Sequence, residues 1–282
     1  MFFVEPGTAM NLAEALFERR GKIRQSVVRA FNHIKRGHIG IMTFGTGGTG
    51  KTTLGHLFTQ GFTNQNKVPT YDRSINIEEF KMPGDLVCTM YTAPGQERHQ
   101  EEENASEGSN WSKLYQRIAR SKSVGIINVV SFGYHSIRTL DYTETNIYKE
   151  GMSQEEFLQL HLEKRKLKEV EALSEIVPHV SAAPGKVWMM TVVTKQDLWW
   201  NERIDVERFY RQGAYHKEIE KIKSRLGAAN FQHEFVSVSL VMDNFTTGNK
   251  RLLKPNTAGY DDNLRLLNQA NLARVMGSLI KG

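Results

Sequence analysis

An apolar run rich in β-formers, His38 to Phe44, breaks into Gly45-Thr46-Gly47-Gly48-Thr49-Gly50-Lys51-Thr52-Thr53 and then into a helical pattern through Leu54, Leu57 and Phe58. A G-x-x-x-x-G-K-T string between a strand and a helix has the context of a phosphate-binding loop. Its glycines let the backbone curl so that successive N–H groups face one concavity, an anion nest. The helix that follows adds the positive end of its dipole. Lys51 supplies a mobile charge to the β- and γ-phosphates, and Thr52 a hydroxyl to Mg²⁺, a cation that takes hard oxygen ligands.

Composition narrows the class further. The 282-residue chain is 39% hydrophobic and 10% aromatic, enough for a sizeable core. A single cysteine, Cys88, excludes a disulfide framework and a cysteine-based zinc site, which fits a reducing cytoplasmic setting. No apolar stretch has membrane-spanning length, and the start of the chain lacks the features of a secretory signal. The net charge of +6 is unevenly placed. Residues 10–37 carry Arg19, Arg20, Lys22, Arg24, Arg29, Lys35 and Arg36 against Glu14 and Glu18, a net +5. Leu12, Leu16, Ile23, Val27, Phe31 and Ile34 recur there at near-helical spacing, so 1–37 reads as a basic amphipathic helical extension. Its charges either face solvent or lie on an acidic partner or an anionic membrane surface.

After the loop and its helix, two strand-like runs, Ile75–Met82 and Leu86–Thr92, flank Pro83-Gly84-Asp85 and read as an antiparallel hairpin. The second run ends in Met90-Tyr91-Thr92-Ala93-Pro94-Gly95-Gln96. A phosphate loop, a hairpin and then P-G-Q resembles the Ras-like small GTPases of the P-loop superfamily. Within them, Thr-x-Pro-Gly-Gln and the Asp72-Arg73-Ser74 string before the first hairpin strand are most similar to the bacterial MglA-type GTPases. The resemblance implies that the Gly95 N–H senses the γ-phosphate and that Gln96 orients the attacking water. It implies Arg73 as an intrinsic arginine finger and Ser74 as a Mg²⁺ ligand. Thr70 is a rival for that ligand, because it lies 19 residues after Lys51 and 22 before Thr92, the Ras spacing. Thr92 stands where that family carries the aspartate that holds a metal-bound water, and its neutral hydroxyl grips the magnesium shell less firmly.

Val124–Val130 is a nearly continuous apolar run, the mark of a buried parallel strand. From Ser131 to Lys186 lie more than fifty residues, about twice what a loop, a helix and a loop require. Ser153-Gln154-Glu155-Glu156 is a capping box that starts a helix through Phe157, Leu160, Leu167, Val170, Leu173 and Val177, ended by Pro178. Glu163, Lys164, Arg165, Lys166, Lys168, Glu169 and Glu171 fill its outer face. At about 24 residues it would be about 36 Å long. It reads either as a family helix packed on the sheet or as a partner-docking arm.

A buried strand then delivers Thr194-Lys195-Gln196-Asp197, similar to the N/T-K-x-D base motif of the GTPase superfamily. The Asp197 carboxylate can accept from N1–H and the exocyclic amine of guanine, a pair of donors adenine lacks on that edge. Lys195 lays its stem over the base. Thr194 offers one hydroxyl where asparagine offers an amide, a weaker tether to the phosphate loop. Trp199 and Trp200 read as core. Ile204–Leu226 reads as a charged helix interrupted near Gly213, Glu234–Leu240 as the last strand, Thr246–Tyr260 as a loop, and Asp261–Ile280 as an amphipathic helix through Leu264, Leu267, Val275, Met276 and Leu279. Ser239-Leu240 resembles the final base-contacting loop of the family.

The expected fold is α/β: a three-layer P-loop GTPase fold whose sheet is mostly parallel with one antiparallel hairpin strand, with 38–282 as the GTPase domain and a helical insertion at about 131–185. The expected activity is a molecular switch that binds Mg²⁺ and GTP and hydrolyses it slowly to GDP, stimulated by a partner. The phosphates fall to Gly45, Thr46, Gly47, Gly48, Thr49, Gly50, Lys51, Thr52 and Thr53, the base to Thr194, Lys195, Asp197, Ser239 and Leu240, and catalysis to Gln96, Lys51 and Arg73. Metal ligation falls to Thr52 with Ser74 or Thr70, and to Thr92. The alternatives are a GTP-dependent interaction module with negligible turnover and a P-loop ATPase. A protein regulator or effector is the expected partner. A nucleic acid is not, since the chain has no reading helix, zinc finger or aromatic platform.

Overall fold

The computed structural model describes residues 39–60, 77–81, 88–92, 110–121 and 123–281. Strand β1 (Ile39–Phe44) leads through the glycine loop into α1 (Lys51–Gln60). Strands β2 (Glu78–Lys81) and β3 (Cys88–Thr92) follow, then α2 (Asn110–Arg120) and β4 (Ser123–Val130). The sheet order is β2-β3-β1-β4, continued by β5 (Lys186–Val193) and β6 (Phe231–Ser237). Only β2 runs antiparallel to its neighbour, and the other pairs are parallel. Strands β4 and β5 are buried at every position after their first, as central strands covered on both faces must be.

Two helical layers cover the sheet. On one face Leu54, Leu57 and Phe58 of α1 and Leu272, Met276 and Leu279 of α7 (Asp262–Lys281) pack on Ile41, Met90, Ile127 and Val129. On the other, α2, the long α3 (Gln154–Ser181), α5 (Arg203–Gln212) and α6 (Ala214–Leu226) pack on Met42, Phe44, Ile126 and Met189. Short α4 (Gln196–Trp199) follows β5 directly, and Trp199 is core, its Nε1 donating to the Thr194 carbonyl at 2.8 Å. Helices α5 and α6 part at Gly213, where the sequence places the interruption.

Several details differ from the sequence reading, among them the last strand, which runs Phe231–Ser237 rather than Glu234–Leu240. Helix α3 runs 28 residues and holds Pro178 inside it. The turn beyond the proline stays helical because Val180 is fully buried and His179 stacks on Tyr115. Leu167 is 61% exposed, because it lies about 140° around the axis from buried Leu162. The inward position at that height belongs to Glu169, 1% exposed, which the sequence reading puts on the outer face. Residues within 246–260 are not all loop: β7 (Phe245–Thr246) and β8 (Leu252–Lys254) pair antiparallel. In α7, Leu267 points outward at 64% exposure, and Leu266 takes the buried place. Among the described residues no helix is long and apolar enough to cross a membrane.

The basic extension of residues 1–37 lies outside the described residues, as do Thr70, Arg73, Ser74, Gly95 and Gln96.

Candidate functional site

The carboxyl ends of β1, β3, β4, β5 and β6 deliver the site to one edge of the sheet, the edge where α/β folds bind ligands. The loop after β1 has its geometry forced at two glycines. Gly45 sits at φ 132°, and a Cβ there would lie 2.1 Å from the Val129 carbonyl oxygen. Gly48 sits at φ 79°, with Ser136 N 2.6 Å from where its Cβ would be. No other residue type lets the loop lie this close to the end of β4.

Lys51, the first residue of α1, folds back under the loop. Its Nζ donates to the carbonyls of Gly45 at 2.9 Å and Thr46 at 2.8 Å. Burial lowers its pKa to about 7, a shift opposed by the Glu78 carboxylate and aided by the Arg138 cation. Thr49 Oγ1 donates to the Thr46 carbonyl at 3.0 Å, and Thr52 Oγ1 donates to Glu78 Oε2 at 2.9 Å.

The end of β5 brings the second half. Thr194 Oγ1 donates to the Thr49 carbonyl at 2.6 Å across 145 residues of sequence, with the Val130 carbonyl 3.1 Å away. The single hydroxyl does tether the loop. Lys195 adopts the left-handed conformation at φ 57°, and its Nζ donates to the Tyr134 carbonyl at 2.5 Å and to Ser136 Oγ at 3.2 Å. Burial lowers its pKa to about 8 against the pull of Asp197 and Glu169.

Asp197 is 1% exposed. Its Oδ1 accepts from Ser239 Oγ at 2.5 Å and its Oδ2 from the Asp243 N–H at 3.3 Å, and the Asn256 amide, turned to donate, reaches Oδ2 at 2.8 Å. Burial raises its pKa, while these donors and Lys195 hold it down. Ser239 thus enters the site through its hydroxyl, and Leu240 lies beside Gly50. A cleft of about 520 Å³ runs from Gly48, Thr49 and Gly50 past Lys195 to Asp197 and Asn244, a volume suited to a small-molecule ligand.

No protein-family model matches the chain, and no curated protein does. Among solved structures it is similar to Toc33 from Arabidopsis thaliana in complex with Mg²⁺ and GMPPNP, at 12% identity over 93% of each chain and a TM-score of 0.47. It is similar to the small COPII coat GTPase SAR1 from Encephalitozoon cuniculi in complex with GDP, at 11% identity over 99% of this chain and 94% of that one, with a TM-score of 0.42. The mammalian SRP receptor matches at 14% identity over 71% of this chain and 91% of that one, with a TM-score of 0.40. At such identities and scores the assignment of roles rests on this chain's own residues.

Thr92 is fully buried at the end of β3, and its hydroxyl has no hydrogen-bond partner among the described residues. Nor do the described residues hold any cluster of three His, Cys, Asp or Glu side chains suited to a metal. The oxygens on hand at this edge are hydroxyls and single carboxylates, hard donors of the kind Mg²⁺ accepts.

Sequence reasoning misses the segment that follows β4. Ser131 to Arg138 lies against the phosphate loop, with the Ser136 N–H donating to the Gly48 carbonyl at 3.3 Å and Arg138 lining the cleft. The segment is anchored from beneath by Glu169 of α3. Glu169 Oε1 accepts from the Ser131 N–H at 2.9 Å, the Gly133 N–H at 3.2 Å and His135 Nε2 at 2.9 Å, and Oε2 accepts from Tyr210 Oη at 2.5 Å. A His135 that donates through Nε2 leaves Nδ1 to accept from Thr46 Oγ1, 3.3 Å away. Burial lowers the His135 pKa more than the Glu169 carboxylate raises it, so the ring is neutral near pH 7. The one signal in the sequence is a glutamate interrupting an apolar helical stripe.

Glu169→Ala is expected to cost about 3–5 kcal/mol, because it strands two backbone N–H groups, an imidazole and a phenol in the core. Tyr210→Phe takes one donor from Glu169 and leaves the Phe132 N–H, which donates to Tyr210 Oη at 2.8 Å, without its acceptor, and is expected to cost about 1–3 kcal/mol. Urea unfolding midpoints of the two variants measure the difference.

Proposed function

We propose that this chain binds a guanine nucleotide with Mg²⁺ and acts as a nucleotide-dependent switch that hydrolyses GTP slowly to GDP. The observation that carries the reading is the joining of two distant motifs in one cleft: the phosphate loop at one end and the Asp197 carboxylate at the other, tied together by Thr194. The loop N–H groups and the ammonium of Lys51 take the phosphates, Thr52 would hold the metal, Lys195 lies along the base, and Asp197 accepts its two N–H donors. Mg²⁺, when bound, supplies charge neutralisation at the phosphates.

Gln96 positions the attacking water, Gly95 reads the γ-phosphate, and Arg73 offsets charge on the leaving oxygen. Either Ser74 or Thr70 completes the metal shell. These assignments rest on the motifs alone. So do a cytoplasmic setting, a kinship nearest the MglA-type GTPases, a protein regulator or effector as partner, and an anionic surface for the basic extension. Residues 38–282 form the GTPase domain with its insertion. The P-loop ATPase alternative is weaker, because an adenine edge leaves the Asp197 carboxylate without its donors.

Isothermal titration of GDP and ADP in Mg²⁺ tests the reading. GDP is expected to bind on the order of 10⁴-fold tighter, the discrimination of a site built around buried acceptors. Equal or tighter ADP binding would overturn the guanine assignment. Single-turnover phosphate release by the wild-type chain and Gln96→Leu tests turnover: slower release in the variant is expected, and equal rates deny Gln96 its role.

A further inference from the structure

The ends of three neighbouring strands place three oxygen-bearing side chains in one row. Glu78 of β2 pairs with Thr92 of β3, and Thr92 pairs with Thr43 of β1. Side chains alternate along a strand, so these three share a face with Phe80, Met90 and Ile41, the face that α1 covers. Thr52 of α1 lies over the row, its hydroxyl on Glu78 Oε2 at 2.9 Å. Thr43 and Thr92 are fully buried, and neither hydroxyl has a partner among the described residues. A buried hydroxyl without a partner costs about 1–3 kcal/mol, so two side by side mark a place arranged for something else.

Resting on the reading of the cleft as a Mg²⁺–guanine nucleotide site, we propose that Glu78 supplies the carboxylate of the magnesium site that position 92 lacks. The charge comes from the strand next door, in register, and reaches the same hydroxyl that is expected to ligate the metal. Carboxylate and three threonine hydroxyls are all hard oxygens, the donors Mg²⁺ selects. Thr92, short and neutral, brings no charge of its own to the row, and Glu78 brings one. A purely structural role is the competing account: an acidic side chain near the start of α1, favoured by the helix dipole and bonded to Thr52.

Release of a fluorescent GDP analogue from the full chain, measured over a Mg²⁺ titration and in EDTA, separates the two, with Mn²⁺ binding by electron paramagnetic resonance as a direct readout. Glu78→Gln is expected to raise the half-effective Mg²⁺ concentration and weaken Mn²⁺ binding by about 10–100-fold. Adding Thr92→Asp to Glu78→Gln is expected to restore most of the loss, by returning a carboxylate to the row. Glu79→Gln, on the exposed face of β2, is the control. Equal weakening with and without Mg²⁺, or an unchanged Mg²⁺ titration in Glu78→Gln, overturns the proposal while leaving the nucleotide reading intact. A wild-type chain that binds no GDP in either condition overturns that reading, and this proposal with it.

Discussion

Lys51→Met is expected to weaken GDP binding by about 30- to 5,000-fold. Removing one member of a buried, hydrogen-bonded charge pair costs about 2–5 kcal/mol, and each 1.4 kcal/mol is tenfold. The larger consequence is in the pH dependence. In the free protein burial holds Lys51 near pKa 7, with its Nζ on two loop carbonyls. Phosphate oxygens favour the ammonium, so the pKa rises on binding. Below pH 7 the free protein already carries the proton, and affinity is flat. Above pH 7 each binding event takes up a proton, and affinity falls by up to about tenfold per pH unit until the pKa of the complex is passed. Stability of the nucleotide-free protein responds with the opposite sign. A lysine whose folded pKa lies below its unfolded value makes the fold more stable as pH rises from about 7 toward 10, and that contribution is lost as pH falls back through the window. Calorimetry at pH 8.5 in buffers of different ionisation enthalpy is expected to give a proton uptake for the wild type that Lys51→Met lacks. Equal uptake in both would remove Lys51 from the phosphate site.

Asp197→Asn is expected to reduce GDP affinity by about 10²-fold and to bring a gain for xanthosine diphosphate. The carboxylate offers acceptors only, and hydrogen bonds to a charged group are worth about 1.5–3 kcal/mol each. With asparagine, one oxygen still accepts from the base N1–H and from Ser239 Oγ. The other position becomes an NH₂ group facing the guanine amine, donor against donor. Xanthine carries a carbonyl there and restores the match. Asp243 N–H and the Asn256 amide, which approach Oδ2, would then also face a donor, so some of the cost falls on the protein itself. Calorimetry with GDP, XDP and ADP reads all three. An unchanged GDP affinity would mean that Asp197 never meets the base.

Local patterning made most of the fold legible. The apolar runs of β4 and β5, the capping box at Ser153 and the glycine loop each announce themselves within a dozen residues, because strand burial, helix capping and backbone curvature are local demands. Glu169 was not legible. A glutamate in a helix reads as a solvent-facing residue, since an isolated charge in a core is costly. What makes it tolerable is a set of donors from Ser131, Gly133, His135 and Tyr210, up to 41 residues away. Glu78 was hidden for a related reason. That it meets Thr52 and stands across from Thr92 depends on strand register, and a shift of one residue would turn it to the other face. Pro178 misled through a sound rule, overridden by burial of Val180 and stacking of His179.

Helix α3 spans 28 residues, and one of its carboxylates is pinned to the segment that touches Thr46 and Gly48 of the phosphate loop. It cannot slide along its axis without breaking the bonds at Glu169, so displacement at its solvent face reaches the glycine loop through three hydrogen bonds, those to Ser131, Gly133 and His135. The helix is a lever with its fulcrum at Glu169. Linkage then runs both ways: whatever grips the outer face of α3 more tightly in one nucleotide state alters the relative affinities of GTP and GDP by the same factor. On the proposed switch function, a nucleotide-exchange catalyst need never enter the cleft.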